Sequence, residues 1–119
     1  MLDAANRLKV RADFSAVRER GRHWRSDLLI LNAMQRSSDG PTRFGFVVSR
    51  RIGKAVVRNR VKRRLRAAVR CHIAGMVTGY DVVVIARPGV GEVSYAALAD
   101  AVAALLRLAR LISDPPEVS

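Results

Sequence analysis

Along this 119-residue chain the spacing of apolar positions changes several times, and each change marks an element. "DFSAVRERG" places Phe14 and Val17 three apart on one helical face, with Asp13 as candidate N-cap and Gly21 as the stop. From Arg22 to Met34 the run of Trp24, Leu28, Leu29, Ile30 and Leu31 reads as strand, in two pieces broken near Ser26 and Asp27. "RSSDGPT" is a turn by its Ser, Gly and Pro content, and "RFGFVVS" is the next strand. The length of that turn allows the two strands to pair antiparallel.

Helical spacing then returns. At 100° per residue Val57, Val61, Leu65, Ala68 and Val69 share an arc of about 120°. Asn59, Lys62, Arg63, Arg66 and Arg70 cover the opposite side, with Arg60 and Arg64 flanking the apolar stripe. "YDVVVIARPG" is short, β-branched and bounded by Pro88 and Gly89, which predicts a buried central strand. Ser94 caps a last helix predicted to reach about Ile112, with Leu98, Val102, Leu105, Ala109 and Ile112 as its buried stripe. Residues 1–12 and 113–119 read as flexible ends. The order α-β-β-β-α-β-α, with no repeats or long linkers, predicts one α+β domain over 1–119: three helices packed on a sheet of about four strands.

Charge sharpens the picture. The chain carries 22 Lys and Arg against 10 Asp and Glu, a formal net charge of +12. Such an excess does not select a fold, but it attracts polyanions. Between Arg50 and Arg70, "RRIGKAVVRNRVKRRLRAAVR" holds ten cations and no acid. Like charges at i,i+3 and i,i+4 cost some tenths of a kcal/mol per pair, so this helix relies on packing of its stripe and on a bound polyanion. A solvated face normally mixes signs; this one does not, and nucleic acid is the favoured partner. Asn59, between Arg58 and Arg60, adds an amide suited to a sugar hydroxyl or a base edge.

Other chemistries find little support. One cysteine excludes an intrachain disulfide framework and a multi-cysteine metal site. His23 and His72 lack partners at metal-ligand spacing; His72 reads as a packed core residue and Cys71 as a small hydrophobe. No phosphate-binding glycine loop occurs, and no acids cluster to hold Mg²⁺ for a protein-only nuclease. The start lacks the apolar run of a secretory signal, and the Ala96–Ile112 segment is too short and too polar to span a bilayer, so a cytoplasmic protein is expected. Phe14 is balanced between core packing and an exposed ring on which a single-stranded base stacks; Trp24 is open in the same way.

The stretch "FGFVVSRRIGKAVVRNRVKRRLRAAVR" resembles the bacterial ribonuclease P protein family. The likeness rests on Arg50-Arg51, Gly53-Lys54, Ala55-Val56 and Arg58-Asn59-Arg60, followed by Lys62, Arg63 and Arg66. "RLK" at Arg7–Lys9, Asp13-Phe14, Gly21 and "YDVVVIARPG" extend it over about residues 5–112. That resemblance implies a subunit of the ribonucleoprotein endoribonuclease that removes the 5′ leader of precursor tRNA. Catalysis would belong to the RNA and its Mg²⁺, with no metal held tightly by the protein and one protein per RNA. It implies that Arg58, Asn59, Arg60, Lys62, Arg63 and Arg66 face the catalytic RNA. Phe14, Arg18, Ser49, Arg50 and Arg51 would line a cleft for the single-stranded leader, and the basic helix would lie in a left-handed strand–helix–strand crossover. Two positions depart from the family pattern: Arg18 stands where many members carry a second aromatic, and Asn32 where some carry Tyr. A ribosomal RNA-binding protein would share the charge but not the whole motif. A membrane-surface role fits poorly with so narrow an aliphatic stripe.

Overall fold

The computed structural model describes residues 2–36 and 39–113. Helix α1 runs Arg11–Arg20, strands β1, β2 and β3 run Arg22–Arg25, Leu29–Gln35 and Arg43–Val47, and helix α2 runs Ala55–Arg70. Strand β4 (Tyr80–Ala86) and helix α3 (Tyr95–Leu108) complete the predicted order. Among the described residues no helix is long and apolar enough to cross a membrane.

Strand pairing departs from the antiparallel pairing that the turn length allows, and follows the strand–helix–strand crossover that the resemblance implies. The sheet order is β1-β2-β4-β3, so β3 does not form a hairpin with β2. Instead β4 lies between them, antiparallel to β2 and parallel to β3, with Val84 opposite both Leu31 and Phe46. The reason is apolarity on both faces: Val82, Val83 and Val84 all need cover, and a central position provides cover as well as two hydrogen-bonding neighbours. Helix α2 is therefore the crossover between two parallel strands.

The two faces of the sheet are covered unequally. Leu29, Leu31, Phe44, Val82 and Val84 join Val61, Leu65 and Val69 of α2 and Leu98, Val102, Leu105 and Leu106 of α3 in the main core. On the other face only α1 packs, burying Val17 with Leu8 and Val83. Phe14, Met34, Val47 and Ile85 stay half-exposed around that small cluster. One sheet face is thus left partly open beside α1.

Local sequence explains most boundaries, and three need correction. Asp13 is not the N-cap of α1; Val10 is, and Asp13 sits in the first turn, 3.6 Å from Arg43. Residues 2–10 are not loose: Leu2 and Leu8 are buried, and the Leu8 N–H donates to the Phe44 carbonyl at 2.9 Å, extending the sheet edge. Helix α3 is capped as expected, the Ala97 N–H donating to Ser94 Oγ at 3.1 Å, but it ends at Leu108. There Arg110 takes φ 59°, and the N–H groups of Arg110 and Leu111 return to the carbonyls of Arg107 and Leu106, both at 2.9 Å. This reversal buries Leu111. Of the expected C-terminal tail, residues 114–119 lie outside the described residues.

A left-handed backbone costs a side-chain-bearing residue about 1–2 kcal/mol, and glycine avoids it. Arg110→Gly is therefore expected to stabilise the fold by about 0.5–1 kcal/mol, after the added entropy of the unfolded glycine is deducted. Urea unfolding checks this; an unchanged or lower midpoint would contradict it.

A buried ion cluster ties three strand ends together. Asp81, 3% exposed, accepts from Arg43 Nε at 2.8 Å and Nη2 at 2.7 Å, and from Arg36 Nη1 at 2.8 Å. Arg36 also donates to the carbonyls of Tyr80 and Pro41, each at 2.9 Å. Burial works to raise the Asp81 carboxyl. The hydrogen bonds from Arg43 and Arg36, and then their charges, overcome that and hold it below its ordinary value. Arg43 is raised in turn, chiefly by its hydrogen bonds to Asp81.

Candidate nucleic-acid interface

Helix α2 begins without an acidic residue or side-chain cap in its first turn, because Gly53 and Lys54 lead into it. Its seam of Val61, Leu65, Ala68 and Val69 is buried, and Val57 is half-buried. Everything cationic is thereby turned outward or to the flanks. Among the described residues the carboxylate–cation pairs involve only Arg36 and Arg43, so no cation of α2 is neutralised by a carboxylate there.

The six predicted docking residues are not placed alike. Asn59, Lys62, Arg63 and Arg66 together line one open hollow of about 560 Å³. Asn59 and Arg63 are exposed, while Lys62 and Arg66 are half-buried. Arg60 turns aside: its Nη2 donates to the Gly91 carbonyl at 3.1 Å, and Arg64, one turn on, donates to Val93 at 3.2 Å. These two arginines brace α2 against the turn Val90–Glu92, where Gly91 lies so close that a Cβ would sit 2.9 Å from Val57 Cγ1. Arg58 is half-buried, and its Nε is shut off from solvent without a partner.

Phe14 packs on the sheet and also faces open space. Its ring covers Gly45 so closely that a Cβ there would lie 2.2 Å from Phe14 Cε2. Glycine is required at this position for space. The rest of the ring lines two hollows. In the larger, about 590 Å³, it stands with Lys9, Arg11, Ser15, Arg18 and Val47. In the smaller, about 130 Å³, it meets Arg7 and Gly45 together with Lys62 and Arg66 from α2. Helix α2 and the hollow beside α1 therefore share a wall.

Of the other predicted cleft residues, Arg18 falls beside Phe14, whereas Ser49, Arg50 and Arg51 are exposed on the turn after β3 and line neither hollow. Asn32 is buried and shares a hydrogen bond with His23 Nδ1 across β1 and β2. Trp24 packs partly on the main core, with the Arg22 guanidinium 5.4 Å from its ring centroid. His72 is not a core residue and Cys71 is exposed, because α2 ends at Arg70 and its helical projection does not continue through them. Lys9, Arg11 and Ser15 also line the larger hollow and were not singled out by sequence reasoning. The signal for Arg11 and Ser15 is the spacing Arg11, Phe14, Ser15, Arg18 on one face of α1, which an N-terminus read as flexible concealed. Among the described residues no three His, Cys, Asp or Glu side chains gather as a metal-holding set.

The family model described as Ribonuclease P matches residues 2–110. The ribonuclease P protein component of Gluconacetobacter diazotrophicus is 46% identical over 99 residues, covering 82% of this chain and 85% of that protein. That of Streptomyces avermitilis is 45% identical over 117 residues, covering 91% and 95%. The structure of the Staphylococcus aureus RNase P protein superposes with a TM-score of 0.84 at 25% identity, covering 92% of this chain and 99% of that one. The RNase P protein of Thermotoga maritima gives 0.77 at 29% identity, covering 86% and 96%.

Proposed function

The chain belongs to the bacterial ribonuclease P protein family, and from that premise we propose how it serves as the protein component of the endoribonuclease that matures tRNA 5′ ends. Helix α2 docks on the catalytic RNA through Asn59, Lys62, Arg63 and Arg66, with Arg58 beside them. Arg60 contributes mainly by fixing the helix on the turn at Gly91. The hollow between α1 and the open sheet face takes the single-stranded leader of precursor tRNA, Phe14 stacking a base while Lys9, Arg11 and Arg18 meet phosphates. Ser49, Arg50 and Arg51 reach the leader or the catalytic RNA from the exposed turn. The protein acts in the cytoplasm, one copy per RNA, and the Mg²⁺ that activates water is held mainly by RNA.

The observation that carries this reading is the segregation of charge on α2. Two polyanions that must meet repel each other, and a cationic wedge between them lowers that repulsion. The purified protein is expected not to cut precursor tRNA, yet to stimulate cleavage by a bacterial catalytic RNA at low Mg²⁺. Cleavage by the protein alone, or no stimulation, would overturn it.

Phe14→Ala is expected to weaken precursor binding by about 1–3 kcal/mol, the usual worth of one stacked base, and to leave mature tRNA binding unchanged. Gly45→Ala should imitate it in part by displacing the ring. Equal losses for precursor and mature tRNA would rule out a leader cleft.

A further inference from the structure

Arg107, in the last turn of α3, is half-buried, and its Nε is closed off from solvent with no hydrogen-bond partner among the described residues. Two adjoining hollows of about 320 and 450 Å³ meet over it. Cys71 and His72, just past the end of α2, line the first; Arg110 lines the second. No carboxylate of the described residues lines either. A guanidinium drawn partly out of water with no counter-ion among the described residues is costly, and an anion in the groove would offset that cost. Arg110 adds an independent sign. It occupies the one non-glycine position of positive φ among the described residues, where glycine would relieve the strain, yet it presents an exposed cation to the same groove. The negative end of the α3 dipole would account for cations here, but not for a strained backbone or an unpartnered Nε.

We propose that this groove at the C-terminal ends of α2 and α3 binds an RNA phosphodiester through Arg107 and Arg110, with the His72 imidazole beside it. The inference rests on the RNA-binding reading of α2 and lengthens its footprint. Sixteen helical residues span about 24 Å, so the groove lies roughly that far from the first turn of the docking helix. Arg70, exposed in the last turn of α2, continues the cationic track toward it.

The test is the salt dependence of binding to a bacterial catalytic RNA. The wild-type chain should give a slope of log K against log salt near −4 to −5, from roughly six phosphate contacts. Arg107→Gln and Arg110→Gln together should make that slope shallower by about 1–2, with an affinity loss of about 5- to 30-fold at 100 mM salt. The same titration with precursor tRNA identifies the source, since the slope changes only for the RNA whose phosphate fills the groove. No wild-type binding to either RNA would defeat the reading of α2 itself, and this extension with it. A binding wild type whose double variant keeps both slope and affinity overturns the groove alone; an unchanged slope with a lowered Tm assigns Arg107 to internal packing. Cys71, the only cysteine, supplies a second measurement. Its alkylation by N-ethylmaleimide should slow several-fold when RNA binds the wild type and not when RNA binds the double variant. Equal rates with and without RNA count against the site.

Discussion

Asp81→Asn is expected to lower the free energy of unfolding by about 3 kcal/mol. Removing one member of a buried ion pair costs about 3–5 kcal/mol, because the partner's charge stays behind uncompensated. The lower end applies here, since the Arg43 side chain keeps 31% exposure and can rehydrate, whereas Arg36 keeps 11%. The corresponding fall in Tm is roughly 10–15 °C for a domain of this size. The pH dependence follows from the depressed carboxyl. A group whose folded pKa lies below its unfolded value contributes its stability in full above the unfolded value, about 3.9 for aspartate, and loses it as pH falls through the folded one. The gap between wild type and variant should therefore be constant near neutrality and close below about pH 4. Urea unfolding between pH 7 and pH 2.5 measures it. A gap that persists to the acid end would show that the Asp81 charge is not what holds the three strand ends.

Replacing Lys62, Arg63 and Arg66 together by glutamine should weaken binding of the catalytic RNA by roughly 10²- to 10³-fold at low salt. Each phosphate contact contributes about 0.7–0.9 to the salt slope, so the slope should become shallower by about 2–3. Folding should survive, since none of the three is fully buried or hydrogen-bonded within the described residues, and removing like charges relieves repulsion along α2. Because Lys62 and Arg66 also line the hollow beside Phe14, precursor tRNA should lose affinity as well, by a smaller factor. Arg60→Ala should behave differently. It removes the hydrogen bond to Gly91, so a stability loss of about 1 kcal/mol should accompany whatever RNA affinity is lost. Filter binding alongside thermal unfolding separates the two. A triple variant that binds the RNA as the wild type does would remove α2 from the interface.

Periodicity alone determined the helices and strands, the aliphatic seam of α2, the Ser94 cap and the buried character of β4, because each depends on neighbours within a turn or two. The acid-free basic run and the motif from Arg50 to Arg66 likewise pointed to RNA and to the family, since charge segregation needs no coordinates. Strand order, by contrast, was settled by the need of Val82, Val83 and Val84 for cover on both faces, in a strand whose partners lie about 40 residues away in sequence on β3 and about 50 on β2. Only the fold could turn Arg60 toward Gly91, set Phe14 on Gly45, and gather Asp81 with Arg36 and Arg43. These contacts join residues far apart along the chain. Local spacing cannot specify them, since a side chain's partner is chosen by packing of the whole core and not by its own position in a helix or strand.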